Sequence, residues 1–572
     1  MADRITHDLL ILGSGLAGLR AAVEAQRVSG GKLNIGLVSK VQLMRSHSVA
    51  AEGGTAAMLR PEEGDSYELH AWDTNKGSDF LADQDVVDRF VRIMPGEILQ
   101  LDHWGIPWSR RPDGRIDQRP FGGHSYPRAV LAADKTGFFE MQTLYDTLLK
   151  YGNFKRYDEF FITSIAVENG AFTGLLGFDV PTGKFVALQG KGLVIASGGA
   201  GCLYGFTTYS QTVTGDGLAM AYRAGLSLED MEFVQFHPTG LVPSGILITE
   251  GCRGEGGYLL NKDGERFMEK YAPAKMELAP RDLISRSMIT EIEEGRGFTD
   301  VSGMEHLHLD LTHLGADRIN QRLPLIREVC IEFVGIDPID QPIPVRPVAH
   351  YSMGGIETDI DGLTKVPGVW AAGEAACVSL HGANRLGSNS TAECLAWGGI
   401  TGAEAAKFLS AGAGLTEVGE DKVKEEENRV FGEMMGRNGP ENPYDIKREL
   451  REMMDANVAV FRTGADLEKM SAKVKELKGR FEKIRVQDKR RRYNSNLVHV
   501  LEIANLLELA EVMVTGAVER KESRGAHARR DFPTRDDDNW LKHTLANKTP
   551  EGPKLDYKKV NITTWKPVER KY

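Results

Sequence analysis

The apolar run Leu9-Leu10-Ile11-Leu12 leads without a break into Gly13-Ser14-Gly15-Leu16-Ala17-Gly18, and LRAAVEAQ follows. This order predicts a buried parallel strand, a tight turn and a helix. In that setting GxGxxG has a physical meaning. Gly13 permits the sharp turn, Gly15 lets a pyrophosphate reach the helix N-terminus, and Gly18 allows close helix–strand packing, with Ala17 in the same turn. A second strand, Asn34-Ile35-Gly36-Leu37-Val38, ends in Ser39-Lys40, where a nicotinamide-dinucleotide fold expects an acidic residue for the adenosine ribose. That departure argues against an ordinary NAD dehydrogenase. No other GxGxxG occurs, so one dinucleotide, most simply FAD, is the economical expectation.

Length and charge narrow the class further. At ~150 residues per domain, 572 residues allow roughly four domains and a cleft between them. Lys+Arg 70 against Asp+Glu 81 gives −11, a sign that disfavours nucleic acid as partner. The five cysteines, Cys202, Cys252, Cys330, Cys377 and Cys394, form no CxxC pair, so neither a disulfide framework, a zinc site nor an iron–sulfur cluster is expected within the chain. No stretch approaches the ~20 apolar residues of a membrane span, and the N-terminus carries no cleavable signal pattern. Membrane contact is therefore expected only through partners.

Further glycine-rich turns follow apolar strands at LVIASGGAG (193–201) and VWAAGEAA (369–376), as loops closing on the same nucleotide. Each alone reads as a plain strand–helix turn. Between them, about 236–351 has a different texture, with FHPTG, ITEGCRGEGG, PRDLISRSM and AHYSMGG, and is expected to be an insertion that returns to the nucleotide sheet. After Leu409, SAGAG reads as a flexible linker into a charge-dense helical region. There Leu467, Met470, Val474, Leu477 and Phe481 form a helix seam, read as part of a structural bundle. The run Lys489-Arg490-Arg491-Arg492 reads as a solvated helix end.

RSHSVAAEGG (45–54), KGSDFLADQDVVD (76–88), ADKTGF (133–138), TGDGLAMA (214–221), FHPTG, LITEGCRGEGG, PRD, HYSMGGIETD (350–359), GEAACVSLHGANRLGSNS (373–390) and KESRGAH (521–527) occur in one order along the chain. Together they resemble the flavoprotein subunit of fumarate reductase and succinate dehydrogenase, respiratory complex II, over about residues 7–565. WSRRPDG (108–114) and IPVRPVAHYSMGG look especially like the bacterial quinol:fumarate reductase branch.

The resemblance implies that fumarate and succinate are interconverted by moving a hydride between substrate carbon and flavin N5, with a proton at the adjacent carbon. It places His237, Thr249, His350 and Arg385 around the two carboxylates, with Phe121 packing nearby; Arg385 suits a carboxylate clamp because its planar fork makes two bonds. It makes Arg281 the proton donor, with Glu250 and Arg253 as a relay. An arginine, with pKa above about 12, is a weak acid, yet a carbanion beside a carboxylate is far more basic. A salt bridge from Arg281 to Asp282 or another acid is the competing reading. The same resemblance attaches FAD covalently through His47, with Ser48, Gly53, Gly54 and Ser390 around the flavin, Glu374 at the ribitol, and Asp216 near the adenosine end, where Ser39 and Lys40 replace the usual acid. His124 is given no role.

The expected fold is α/β: a Rossmann-like FAD-binding domain (1–235 and 352–412) with an inserted α+β capping domain (236–351), then a helical domain (425–530) and a C-terminal extension (531–572). The implied partners are an iron–sulfur subunit and membrane anchor subunits that bind quinone or quinol, holding the chain peripherally at the cytoplasmic face of the cell membrane. L-aspartate oxidase shares the fold and much of HPT and RLG, but binds FAD without a covalent bond, so His47 argues against it. A purely structural use of FAD leaves the two His, two Arg and Thr249 without a task.

Overall fold

The computed structural model describes residues 3–571. The first strand, Asp3–Leu12, extends well before its apolar run and pairs in parallel on both sides, Leu12 meeting Val38 on one edge and Ile195 on the other. Leu9, Leu10 and Ile11 are fully buried, as a central parallel strand between helical layers requires. The sheet runs Phe154–Tyr157, Ile35–Val38, Asp3–Leu12 and Phe185–Ile195, then turns antiparallel through Ala171–Asp179 and Phe160–Glu168. The long strand Phe185–Ile195 serves two neighbours: Phe185 to Gln189 face the antiparallel meander, while Leu193 to Ile195 pair with Val369–Ala371. Residues far apart in sequence thus meet at one sheet edge.

Helix Leu16–Ser29 leaves that edge and packs on helix Asn389–Ser410. A Cβ on Gly398 would sit 2.7 Å from the Ala17 carbonyl oxygen, and one on Gly402 2.3 Å from that of Ala21, so small residues set this backbone approach.

Strands Val234–Leu241 and Ile343–Ser352 pair antiparallel and carry the chain out to, and back from, a second core. That core, running from Leu241 to Val345, has its own sheet with Glu305–Asp310 and Tyr258–Leu260. The exit and return strands are neighbours, so their residues face the same place.

In the helical region, Pro443–Asn457, Gly464–Phe481 and Ser495–Glu519 pack together, and all five seam residues of the middle helix are buried. One expectation changes. SAGAG does not open a loose tether: the segment beyond it is pinned by Arg4 donating to the Val418 carbonyl (2.9 Å) and by the Gly419 N–H on Glu168 (3.0 Å). The C-terminal extension packs on the first unit, Lys542–Thr549 joining a sheet with Leu228–Glu229, Leu228 facing Ala546. Among the described residues no helix is long and apolar enough to cross a membrane.

Candidate active site

A cavity of about 630 Å³ opens where the first strand and helix, the antiparallel meander and the inserted unit converge. Every residue given a catalytic or cofactor-binding role in the sequence lines it except Gly18 and Arg253. Gly18 acts behind the wall, where a Cβ would lie 2.0 Å from the Gly13 carbonyl oxygen. Gly13 has φ 113°, and a Cβ there would lie 2.1 Å from the Ala196 carbonyl oxygen. Ser48 accepts a hydrogen bond from the Leu16 N–H at the helix start (3.2 Å). Buried hydroxyls of Ser14, Ser197 and Ser388 line the trough without partners. Unpaired buried hydroxyls at a helix N-terminus suit the phosphates and sugars of a dinucleotide.

At one end Lys40 donates to Thr214 (2.6 Å), Asp216 (2.7 Å) and Glu502 (2.7 Å), which ties the helical domain to the nucleotide site. Burial opposes the ammonium charge, but Asp216 and Glu502 outweigh it and raise the Lys40 pKa. Midway, the Tyr209 hydroxyl bonds Glu374, and the Ser352 N–H donates to Glu374 at 2.8 Å. Burial pushes the Glu374 carboxyl up to about 8. His47 stacks on Tyr209 with ring centres 5.0 Å apart, and its Nδ1 accepts the Ser210 N–H at 3.4 Å. Burial pulls its imidazole down to about 4, so at neutral pH it is uncharged, the form in which a ring nitrogen can act as a nucleophile.

The other end is cationic. His237 Nδ1 accepts the Thr239 N–H (3.2 Å), which leaves the proton on Nε2; that nitrogen is buried without a partner, a donor aimed at the cavity. His350 bonds Thr208 (2.8 Å), its ring centre 4.9 Å from that of His237. Burial first, then Arg281 and the other cations, hold both imidazoles well below their usual range. Arg385 lies over the Tyr351 ring (4.4 Å) with its Nε unpaired; burial and Arg281 bring its pKa to about 10, still charged at neutral pH.

Arg281 Nε donates to Glu250 Oε2 (2.7 Å) and its Nη1 to Gln235 (3.0 Å), so its acid is Glu250, not Asp282. Arg253 stands 3.7 Å behind Glu250 and donates to the Glu277 carbonyl (2.5 Å). Burial disfavours the Glu250 carboxylate, but Arg281 and Arg253 prevail and its pKa falls. Thr249, almost fully buried, accepts the Gly251 N–H (3.2 Å), and the Phe121 ring lies against Gly53. His124 is buried on the Gly387 carbonyl (2.9 Å), bracing the loop that carries Arg385.

The sequence matches a family model described as FAD binding domain over residues 8–391, and one described as Fumarate reductase flavoprotein C-term over 447–572. It is 43% identical over 581 residues to a fumarate reductase flavoprotein subunit of Mycobacterium tuberculosis, covering 99% of both chains. The chain belongs to the fumarate reductase and succinate dehydrogenase flavoprotein family. A succinate dehydrogenase flavoprotein subunit of Rickettsia bellii is 42% identical over 97% of this chain and 96% of its own. A solved quinol–fumarate reductase with menaquinol molecules superposes with TM-score 0.95 at 43% identity, covering 99% of this chain and 100% of that one. This flavoprotein uses FAD, is an oxidoreductase subunit of a larger assembly, and has no tie that favours the aspartate oxidase branch.

Tyr209, Gln235, Ser14 and Ser388 escaped the sequence reading. Ser14 and Ser388 sit inside quoted motifs and were legible there. Tyr209 and Gln235 carry no local signal; only the fold brings Tyr209 under His47, and Gln235 between Arg281 and the Arg385 carbonyl (2.6 Å).

Proposed function

We propose that this flavoprotein interconverts fumarate and succinate, with His47 as the covalent attachment point for FAD. One observation carries the reading. Three guanidinium groups, Arg281 and Arg385 on the cavity wall and Arg253 behind it, surround the single carboxylate of Glu250 and leave a net positive charge of two around one end of the cavity, while the imidazoles and Glu374 are neutral near pH 7. A dicarboxylate dianion balances that charge and receives the free donors of His237 and Arg385. Bound flavin supplies the hydride exchange at N5.

The remaining work belongs to the protein. Arg385 grips one carboxylate, and His237, His350 and Thr249 donate to the oxygens where charge grows during reduction. Arg281, on the cavity wall, delivers the proton to the adjacent carbon, and the neutral guanidine left behind is reprotonated from solvent by way of Arg253 and Glu250, so that Arg281 is a cation again before the next turnover. Arg253 keeps Glu250 ionised and leads away from the cavity. Electrons pass to or from an iron–sulfur subunit and quinone-binding anchors at the cytoplasmic face of the membrane, a division of labour supported by the five scattered cysteines, which form no cluster ligand set among the described residues.

Arg281→Gln should lower fumarate reduction about a thousandfold while a dicarboxylate inhibitor still perturbs the flavin spectrum. Arg385→Gln should weaken that binding as well. If Arg281→Gln loses binding but turns over normally at saturation, the two roles are exchanged.

A further inference from the structure

After its last strand, Gly552–Lys559, the chain runs back across the FAD-binding unit along a laid track. Asp83 accepts the Asn561 N–H (2.6 Å), and Gln84 Oε1 accepts the N–H groups of Thr563 (3.1 Å), Thr564 (2.7 Å) and Trp565 (3.0 Å). The Trp565 ring meets Trp72 edge-on at 5.7 Å. The track reaches Arg570, whose side chain is only 10% exposed. Its Nη2 lies 2.5 Å from Asp282 and 3.2 Å from Asp79. Asp79 belongs to the FAD-binding side of the seam, while Asp282 is the second residue of the helix Arg281–Glu291 in the inserted unit.

Each carboxylate keeps a further cation: Arg286 on Asp282 (3.1 Å), Arg535 on Asp79 (2.8 Å). Arg570 is the group among the described residues that reaches both. Burial opposes the Asp282 charge, yet Arg570 and Arg286 hold its carboxyl down to about 2, so the contact is made in the ionised form. Arg281 is the residue before Asp282, in the same first turn, so whatever pins one carboxylate pins the direction of the other side chain.

We propose that the C-terminal tail is a strap across the seam between the FAD-binding and inserted units, and that Arg570 is a positioning residue for Arg281. The inference rests on the reading of Arg281 as the proton donor. A planar guanidinium bridges two carboxylates in a fixed geometry that a lysine ammonium does not reproduce. Displacing a reacting group by about 1 Å costs of the order of a hundredfold in rate, and loss of the strap should cost less, because Arg286 remains.

The test uses the assembled enzyme with Arg570→Gln. Both carboxylates keep a cation, so the fold and flavin content should be retained. Hydrogen exchange at amides 282–286 should accelerate, and kcat for fumarate reduction should fall about tenfold with dicarboxylate affinity changed much less. Arg570→Lys should recover part of both. Unchanged exchange at 282–286 would overturn the strap, whatever the activity. Faster exchange with full kcat would overturn the positioning role. Arg281→Gln assayed beside it separates the two ideas: normal turnover there rejects the proton-donor reading, while the exchange result still judges the strap.

Discussion

At His47, local chemistry is sharp although the local sequence is plain. RSHS alone describes a polar loop, but the fold lays this imidazole on Tyr209, leaves Nε2 without a protein partner among the described residues, and keeps the ring neutral through burial. A flavin attached there should stay with the protein through acid precipitation. For His47→Ser the glycine turn and the serine hydroxyls still hold the dinucleotide, so FAD should bind and be released on precipitation. Succinate oxidation should fall more than fumarate reduction, because removing the covalent bond lowers the flavin potential. Full release of flavin from the unmutated protein, or equal losses in both directions from the variant, would reject this assignment. The rest of the site was unevenly legible. GxGxxG and RLGSNS could be read directly, whereas Gln235, one residue before FHPTG, acquires its part only by standing between Arg281 and the Arg385 loop.

Among the elements, the strand–turn–helix at the N-terminus and the seam of Gly464–Phe481 show two kinds of legibility. The seam spacing was sufficient to identify a buried helix face because a 3.6-residue period cannot bury those positions in a strand. The turn is fixed by contact rather than by period. A methyl group at Gly18 must overlap the Gly13 carbonyl at 2.0 Å, with rigid backbone on both sides. Gly18→Ala should therefore displace the helix start from the strand, cost about 1–3 kcal/mol as an overpacking change, and abolish flavin retention. A denaturant titration together with flavin content checks it; a variant that melts normally with full flavin would refute the close-contact argument. SAGAG shows the limit of reading composition, since small residues predict freedom while Arg4 and Glu168, distant in sequence, remove it.

Across the whole molecule, the C-terminal hairpin is held by a buried charge cluster. His543 Nδ1 lies 2.6 Å from Asp230, and Lys558 lies 2.8 Å from Glu229. Burial opposes the imidazolium, but Asp230 and Glu229 raise its pKa to about 10. The sign follows from linkage. A folded-state pKa of about 10 above an unfolded value of about 6.5 gives stability fully present below pH 6.5 and lost as pH rises toward 10. Thermal melting should therefore decline across that window, and His543→Gln should flatten the decline while costing about 3 kcal/mol at neutral pH through the buried carboxylates left short of a partner. A variant whose melting curve keeps the original pH slope would show that another group is responsible.

The sequence by itself determined the nucleotide turn, the class of sheet, the apolar helix faces and, through motifs held in order, the kind of chemistry. These depend on residues within a turn or two of each other, where backbone sterics and side-chain periodicity act directly. Tertiary structure alone decided the charge balance of the site. Arg281 and Arg385 stand on different segments, His237 and His350 meet because the inserted unit leaves and returns on paired strands, and Arg570 reaches Asp282 from the far end of the chain. Electrostatic energy depends on distance in space and on burial, neither of which is encoded at a single position, so the two open positive charges become visible only when the whole chain has folded around them.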